Sequence, residues 1–192
     1  PEFTSRNESV ATVSSDGIVK GVNSGVTYVD VKIGNIHKSY RIEVYAKGMY
    51  KIVNRAMYIV NHWKYSQPKR MQRGYYDCSS LVWRAYSRYG TYFGARSYAP
   101  VAADICRWCM IHHKKVSGKM TEGQIQKMKF RAGDLIFKPG AKNGRYKGVY
   151  HVEMFTGYRV TGFTSKGKPV LSTEWANRTT GYDAYGSIVE RP

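Results

Sequence analysis

Between residues 9 and 45 the apolar positions fall in short runs separated by glycine turns. Residues 10–13 run into Ser14-Ser15-Asp16-Gly17, and residues 18–22 into Asn23-Ser24-Gly25. Residues 26–33 alternate apolar and polar at period two, and Gly34-Asn35 turns the chain into residues 39–45. Alternation at period two bounded by turn residues is the mark of half-buried strands. Four short strands of this kind predict a piece of a β-sandwich. Lys47-Gly48 is the expected boundary.

After the boundary the period lengthens. Ile52, Val53, Ala56, Met57 and Val60 recur at helical spacing over residues 49–61. A polar loop spans 64–74. A second helix starts at Cys78, places Leu81, Val82, Ala85 and Tyr86 on one face, and stops at Gly90. Pro100 suits the first turn of a third helix running to about His112. Thr121-Glu122-Gly123-Gln124 has capping-box spacing and predicts a short helical turn. Strands are expected at 134–138, 149–157, 170–175 and 187–190. Helices first and strands later give an α+β fold, an antiparallel sheet covered by helices. The expected division is a small all-β unit at 4–46 and an α+β domain at 49–192. Pro1-Glu2-Phe3 look like a leftover cloning linker and are set aside, with the natural start expected elsewhere. The lack of a visible signal peptide therefore says nothing about secretion.

Charge divides the chain in the same place. Residues 1–46 hold five Lys/Arg against five Asp/Glu, whereas residues 47–192 hold 26 against eight and carry the whole +18. A basic body of this kind seeks an anionic partner: nucleic acid, a membrane surface, or a cell wall rich in carboxylates and phosphates. No apolar run is long enough to span a bilayer. Neither an internal repeat nor a P-loop, Rossmann or zincin motif is present.

The chemistry gathers on two residues. Cys78 opens a helix in the polar phrase Asp77-Cys78-Ser79-Ser80, unlike a buried structural thiol with apolar neighbours. His151 lies 73 residues on (151 − 78), near the start of a strand on which His151, Glu153 and Phe155 share a face. Cysteine attacks carbonyls as thiolate, a form favoured by a helix N-terminus and by a nearby imidazole. A thiol opening a helix and a histidine opening a later strand are the footprint of a papain-like nucleophile and base. His62, His112 and His113 are weaker candidates for the base. A third polar group should orient the imidazole. The next strand offers Glu174, chosen because its carboxylate would also stabilise the imidazolium, with Asn177 and Ser172 as alternatives.

Cys106-Arg107-Trp108-Cys109 with His112 and His113 invites a zinc reading, but structural zinc ligands come from two separated segments. A disulfide or two core thiols fits better, and no metal or other cofactor is expected. The 17 tyrosines among many Lys/Arg could stack bases, so a nucleic-acid binder is the rival without catalysis, as is an adhesive protein with an inert enzyme domain.

Three phrases in order resemble the motifs of NlpC-type cell-wall cysteine peptidases. They are Tyr76-Asp77-Cys78-Ser79-Ser80-Leu81-Val82, Gly133-Asp134-Leu135-Ile136-Phe137 and His151-Val152-Glu153-Met154-Phe155. Tyr65-Ser66-Gln67 is similar to the tyrosine segment preceding the nucleophile in endolysin-like members. The resemblance covers roughly residues 49–192. It implies a papain-like fold and hydrolysis of a peptidoglycan stem peptide, after γ-D-glutamate, or at the muramoyl–alanine bond in the amidase alternative. It implies Cys78 as nucleophile, His151 as base, Tyr65 beside the thiol, and Asp77 and Ser79 holding a substrate amine. The family often has glycine where Ser80 stands and a histidine as third group, which this segment lacks. A glutamate there is similar to the related CHAP enzymes. Residues 9–25 resemble part of a bacterial Ig-like module of group 2 whose opening strands are absent, expected to serve as a passive tether. Together these resemblances imply a secreted or phage-encoded enzyme acting on the wall, with peptidoglycan and anionic wall polymers as partners.

Overall fold

The structure is a computed structural model and describes residues 1–176 and 188–192. The N-terminal part holds β1 (Glu2–Ser5), β2 (Ala11–Val13), β3 (Val19–Gly21), β4 (Gly25–Ile33) and β5 (Ile36–Val44). Strands β4 and β5 form a long hairpin closed by Gly34-Asn35, with Ile33 opposite Ile36. β1 pairs with β4 on its other edge, and β2 pairs with β3. The residues set aside as a linker are therefore part of the fold. Glu2 and Phe3 are paired with Lys32 and Val31, and Phe3 lies against Gly17.

The rest is the expected α+β arrangement. Helices α1 (Met49–His62), α2 (Cys78–Ser87) and α3 (Ala102–Ile111) precede α4 (Glu122–Gln126). A short parallel pair, β6 (Lys64–Tyr65) and β7 (Tyr75–Tyr76), ties the ends of the polar loop together. The main sheet holds β8 (Lys115–Ser117), β9 (Leu135–Pro139), β10 (Val149–Phe163), β11 (Pro169–Trp175) and β12 (Ile188–Glu190). Its order is β11-β10-β9-β12-β8, and every pairing is antiparallel. β10 runs six residues beyond the expected end, because residues 158–163 pair with β11 across a hairpin with two irregularities in register.

Alternation along β9 sorts the core into two layers. Leu135 and Phe137 point to the helices with Val152 and Met154 of β10, packing on Ala56, Ile59, Leu81, Val82, Ile105 and Cys106. Ile136 points the other way, into a cluster with Phe155, Val189, Ile125, Phe130 and Val26. Val26 belongs to β4, so the N-terminal strands help close the second face of the sheet. Arg41 reinforces that contact by donating to the Tyr158 carbonyl (2.8 Å). The N-terminal strands thus pack against the α+β body.

Two devices position the strand that leads to the histidine. Gly133 has φ 97°, and a Cβ there would stand 2.2 Å from the Met49 sulfur, so only glycine fits between α1 and β9. Asp134 is buried and takes both arms of Arg191 (2.7 Å each) and the Arg131 N–H (2.9 Å). The Gly-Asp phrase is therefore a folding element that fastens the chain terminus to β9.

Cys106 and Cys109 are free thiols packed in the core. Burial and then the charge of Glu190 push Cys106 up to about 12. No helix among the described residues is long and apolar enough to cross a membrane. Glu190 on β12 is fully buried, and neither carboxylate oxygen has a hydrogen-bond partner among the described residues. Burial pushes its pKa to about 7 against the charges of Lys147 and Lys115. The folded state holds this proton more tightly than the unfolded chain. The stability linked to it is complete below about 4.5 and is lost as pH rises through about 7. Glu190→Gln is expected to raise the thermal midpoint at pH 8, by a gain approaching ~3 kcal/mol, and to change it little at pH 4.5. Equal effects at both pH values, followed by circular dichroism, would contradict this.

Candidate active site

Helix α2 begins where the chain leaves β7. Asp77 is its N-cap: Oδ1 accepts the Ser80 N–H (2.7 Å), and the Ser80 hydroxyl accepts the Asp77 N–H (2.8 Å). This reciprocal box fixes the first turn. It also gives Ser80 a structural task. Cys78 is the first residue of the helix, where the macrodipole and unsatisfied N–H groups favour negative charge. It is 6% exposed and lines a cleft of about 190 Å³ with Arg70, Asp77, Ser79, Arg145 and Tyr150. A larger cavity of about 600 Å³ lies between the N-terminal strands and the α4 region, on residues such as Asn7, Val26 and Met128, and holds none of this chemistry.

His151 sits near the start of β10, largely buried, and hydrogen-bonds the Cys78 side chain. Its Nε2 meets Glu153 Oε1 at 3.3 Å, which leaves Nδ1 as the nitrogen able to exchange a proton with sulfur. Glu153 is two residues on, on the same face of the strand, and buried. Burial alone would push the imidazole down. The hydrogen bonds and charges of Cys78 and Glu153 outweigh it, and His151 is raised to about 9. The arrangement is a thiol–imidazole–carboxylate chain able to hold an imidazolium at neutral pH.

The group expected to orient the imidazole was Glu174. It is exposed and pairs with Gly157, six positions along β10 from His151 and so roughly 20 Å away. The carboxylate on the same strand takes that position instead. Ser172 lies still farther along, opposite Arg159, and Asn177 lies outside the described residues. The signal for Glu153 was present in the shared face of His151 and Glu153.

Tyr65 stands against Cys78. Its hydroxyl accepts the Cys78 backbone N–H and bonds the Gln67 side chain. Burial, then the charge on Cys78, raises its pKa, so the phenol keeps its proton. Asp77 and Ser79 were expected to hold a substrate amine, but their polar atoms are already engaged. Asp77 Oδ1 also accepts from the Ser79 hydroxyl (3.2 Å), and Oδ2 lies 3.1 Å from Arg70 Nε. Arg70 itself donates to Ser79 Oγ (3.1 Å) and to the carbonyls of Ala99 (2.7 Å) and Pro100 (3.0 Å). Sequence reasoning missed this arginine, which lies within the polar loop and carries no motif of its own.

A sequence model of the NlpC/P60 family matches residues 62–179, more than half of the chain. The chain belongs to the NlpC/P60 family. No curated protein and no solved structure matches it. The match takes in Cys78, His151 and Glu153, and begins at the last residue of α1. Family membership makes this the body of a cysteine peptidase that acts on peptidoglycan.

The imidazole should be visible in solution. In a ¹H–¹³C titration with the His151 signal assigned from its absence in His151→Gln, the midpoint is expected at about 9. Glu153→Gln removes one of the two charges that hold the proton, so the midpoint should fall by a unit or more, roughly 1.4 kcal/mol per unit. An unchanged midpoint would show that Glu153 does not act on the ring.

Proposed function

We propose that this enzyme hydrolyses a stem-peptide amide of peptidoglycan, after γ-D-glutamate, through a Cys78 thiolate and an acyl-enzyme. The observation that carries the reading is the hydrogen-bonded chain Cys78–His151–Glu153, whose sulfur end lines an open cleft. The sulfur attacks the carbonyl carbon, and the developing oxyanion is received by the Tyr65 hydroxyl, which the Cys78 N–H holds in place. The imidazolium gives its Nδ1 proton to the leaving amine as the C–N bond breaks, which leaves a thioester. Neutral His151 then takes a proton from water, and hydroxide adds to the thioester. Collapse releases the new carboxyl group and returns the sulfur. Throughout, Glu153 holds the ring in orientation and offsets its charge.

The setting we propose is the wall itself, reached by secretion or from a phage-encoded source. The N-terminal strands are read as a partial Ig-like module. The basic catalytic body, carrying all of the +18 net charge, is suited to anionic wall polymers. Those contacts would hold the enzyme on its solid substrate without taking part in the chemistry.

The test is mass analysis of fragments from purified sacculi. Wild type should release fragments ending in γ-D-glutamate, and Cys78→Ala should release none while still sedimenting with the wall. Cleavage by Cys78→Ala would rule out the thiolate mechanism, and fragments cut at the muramoyl–alanine bond would make the enzyme an amidase. The rate should also fall as pH rises through about 9, where the imidazolium that protonates the leaving amine is lost. A rate that stays level to pH 10.5 would contradict that step.

A further inference from the structure

The cleft beside Cys78 has an unbalanced charge. Besides the reacting Cys78 sulfur, its charged lining is Arg70, Asp77 and Arg145. Arg70 and Asp77 neutralise each other at 3.1 Å, and Arg70 cannot swing aside because the Ala99 and Pro100 carbonyls hold its other end. An ammonium group brought to Asp77 would meet a fixed guanidinium and would have to break a largely buried pair. Like charges at that range repel, and Asp77 Oδ1 already accepts two hydrogen bonds while Oδ2 faces Arg70 Nε.

Arg145 is the opposite case. It is exposed, and its guanidinium makes no hydrogen bond or ion pair among the described residues. Its backbone is nevertheless held. Its N–H donates to Asn143 Oδ1 (3.0 Å), its carbonyl accepts the Gly148 N–H (3.0 Å), and Asn143 Nδ2 closes the loop on the Gly148 carbonyl (3.1 Å). The backbone of this arginine is thus fixed at the cleft edge, next to the half-exposed Tyr150, while its planar fork is left for a ligand. A guanidinium fork matches a carboxylate in two parallel hydrogen bonds.

We propose that Arg145 reads the free α-carboxylate of the γ-linked D-glutamyl residue, and that the cleft accepts stem peptides whose terminal amine is blocked. This rests on the proposed function and names the form of substrate that the same site selects. The enzyme would work on peptides still joined to the glycan and would discriminate against walls in which that carboxylate is amidated.

The test uses synthetic stem peptides carrying either γ-D-glutamate or γ-D-isoglutamine, each with a free or an acetylated N-terminal alanine. Wild type should favour the carboxylate over the amide by about 10- to 100-fold in kcat/KM, mostly through KM, as for one charge-assisted pair. Arg145→Gln should bring the two peptides within about threefold of each other, and acetylation should change the wild-type kcat/KM by less than about threefold, in line with a lost ion pair and no amine contact. Equal wild-type rates on carboxylate and amide, or a preference that survives in Arg145→Gln, would overturn the role of Arg145 and leave the peptidase reading intact. A strict demand for the free amine would overturn the blocked-amine specificity. Failure of the wild type to cut any of the peptides or sacculi would overturn the peptidase reading and this proposal with it.

Discussion

One imidazole ring, held between a sulfur and a carboxylate in a place that excludes most water, is what the rest of the site depends on. Burial works against its charge, and two partners that carry negative charge work for it. Remove either partner and the balance tips, because a charge taken out of water is tolerated only when paired. The helix start does the complementary task for sulfur. There, Asp77 and Ser80 lock the first turn, so the residue between them and the strand cannot drift.

The fold exists, on this view, to bring a helix N-terminus and a strand start together. The two come from distant parts of the chain and meet because α2 packs on β10 through Leu81, Val82, Val152 and Met154. The supports are spread widely. Gly133 lets β9 pass close to α1, and Arg191 fastens Asp134 from the far end of the chain. Val26 closes the outer face from the N-terminal strands. Arg70 joins the polar loop, the turn at Cys78 and the segment before α3 in one set of bonds. It also takes the negative charge out of the cleft, so the site's polarity is decided by a residue that never touches the sulfur.

Much of this was legible in the sequence. Cys78 and His151 stood out because each opens an element, and helical or period-two spacing marked those elements without any tertiary information. The Thr121–Gln124 capping box appears as the start of α4. What stayed hidden depends on register and on long-range partners. Glu174 and Glu153 are both carboxylates on neighbouring strands, and the choice between them turns on how far β10 runs. Its extension to Phe163 carries Glu174 away from the ring. The fixed arginine at position 70 was invisible for a similar reason: its partners at 77, 79, 99 and 100 meet only in the folded chain. Pro1-Glu2-Phe3 were set aside on their look as a linker, yet the pairing of Glu2 and Phe3 with β4 is decided by the sheet.

The most direct measurement is a comparison of kcat for Glu153→Gln and Glu174→Gln on the same muropeptide at pH 7. Loss of the group that orients the imidazole is expected to lower kcat for Glu153→Gln by about 100-fold or more, with Glu174→Gln within about twofold of wild type. The reverse order, with Glu174→Gln inactive and Glu153→Gln near wild type, would contradict the thiol–imidazole–carboxylate chain.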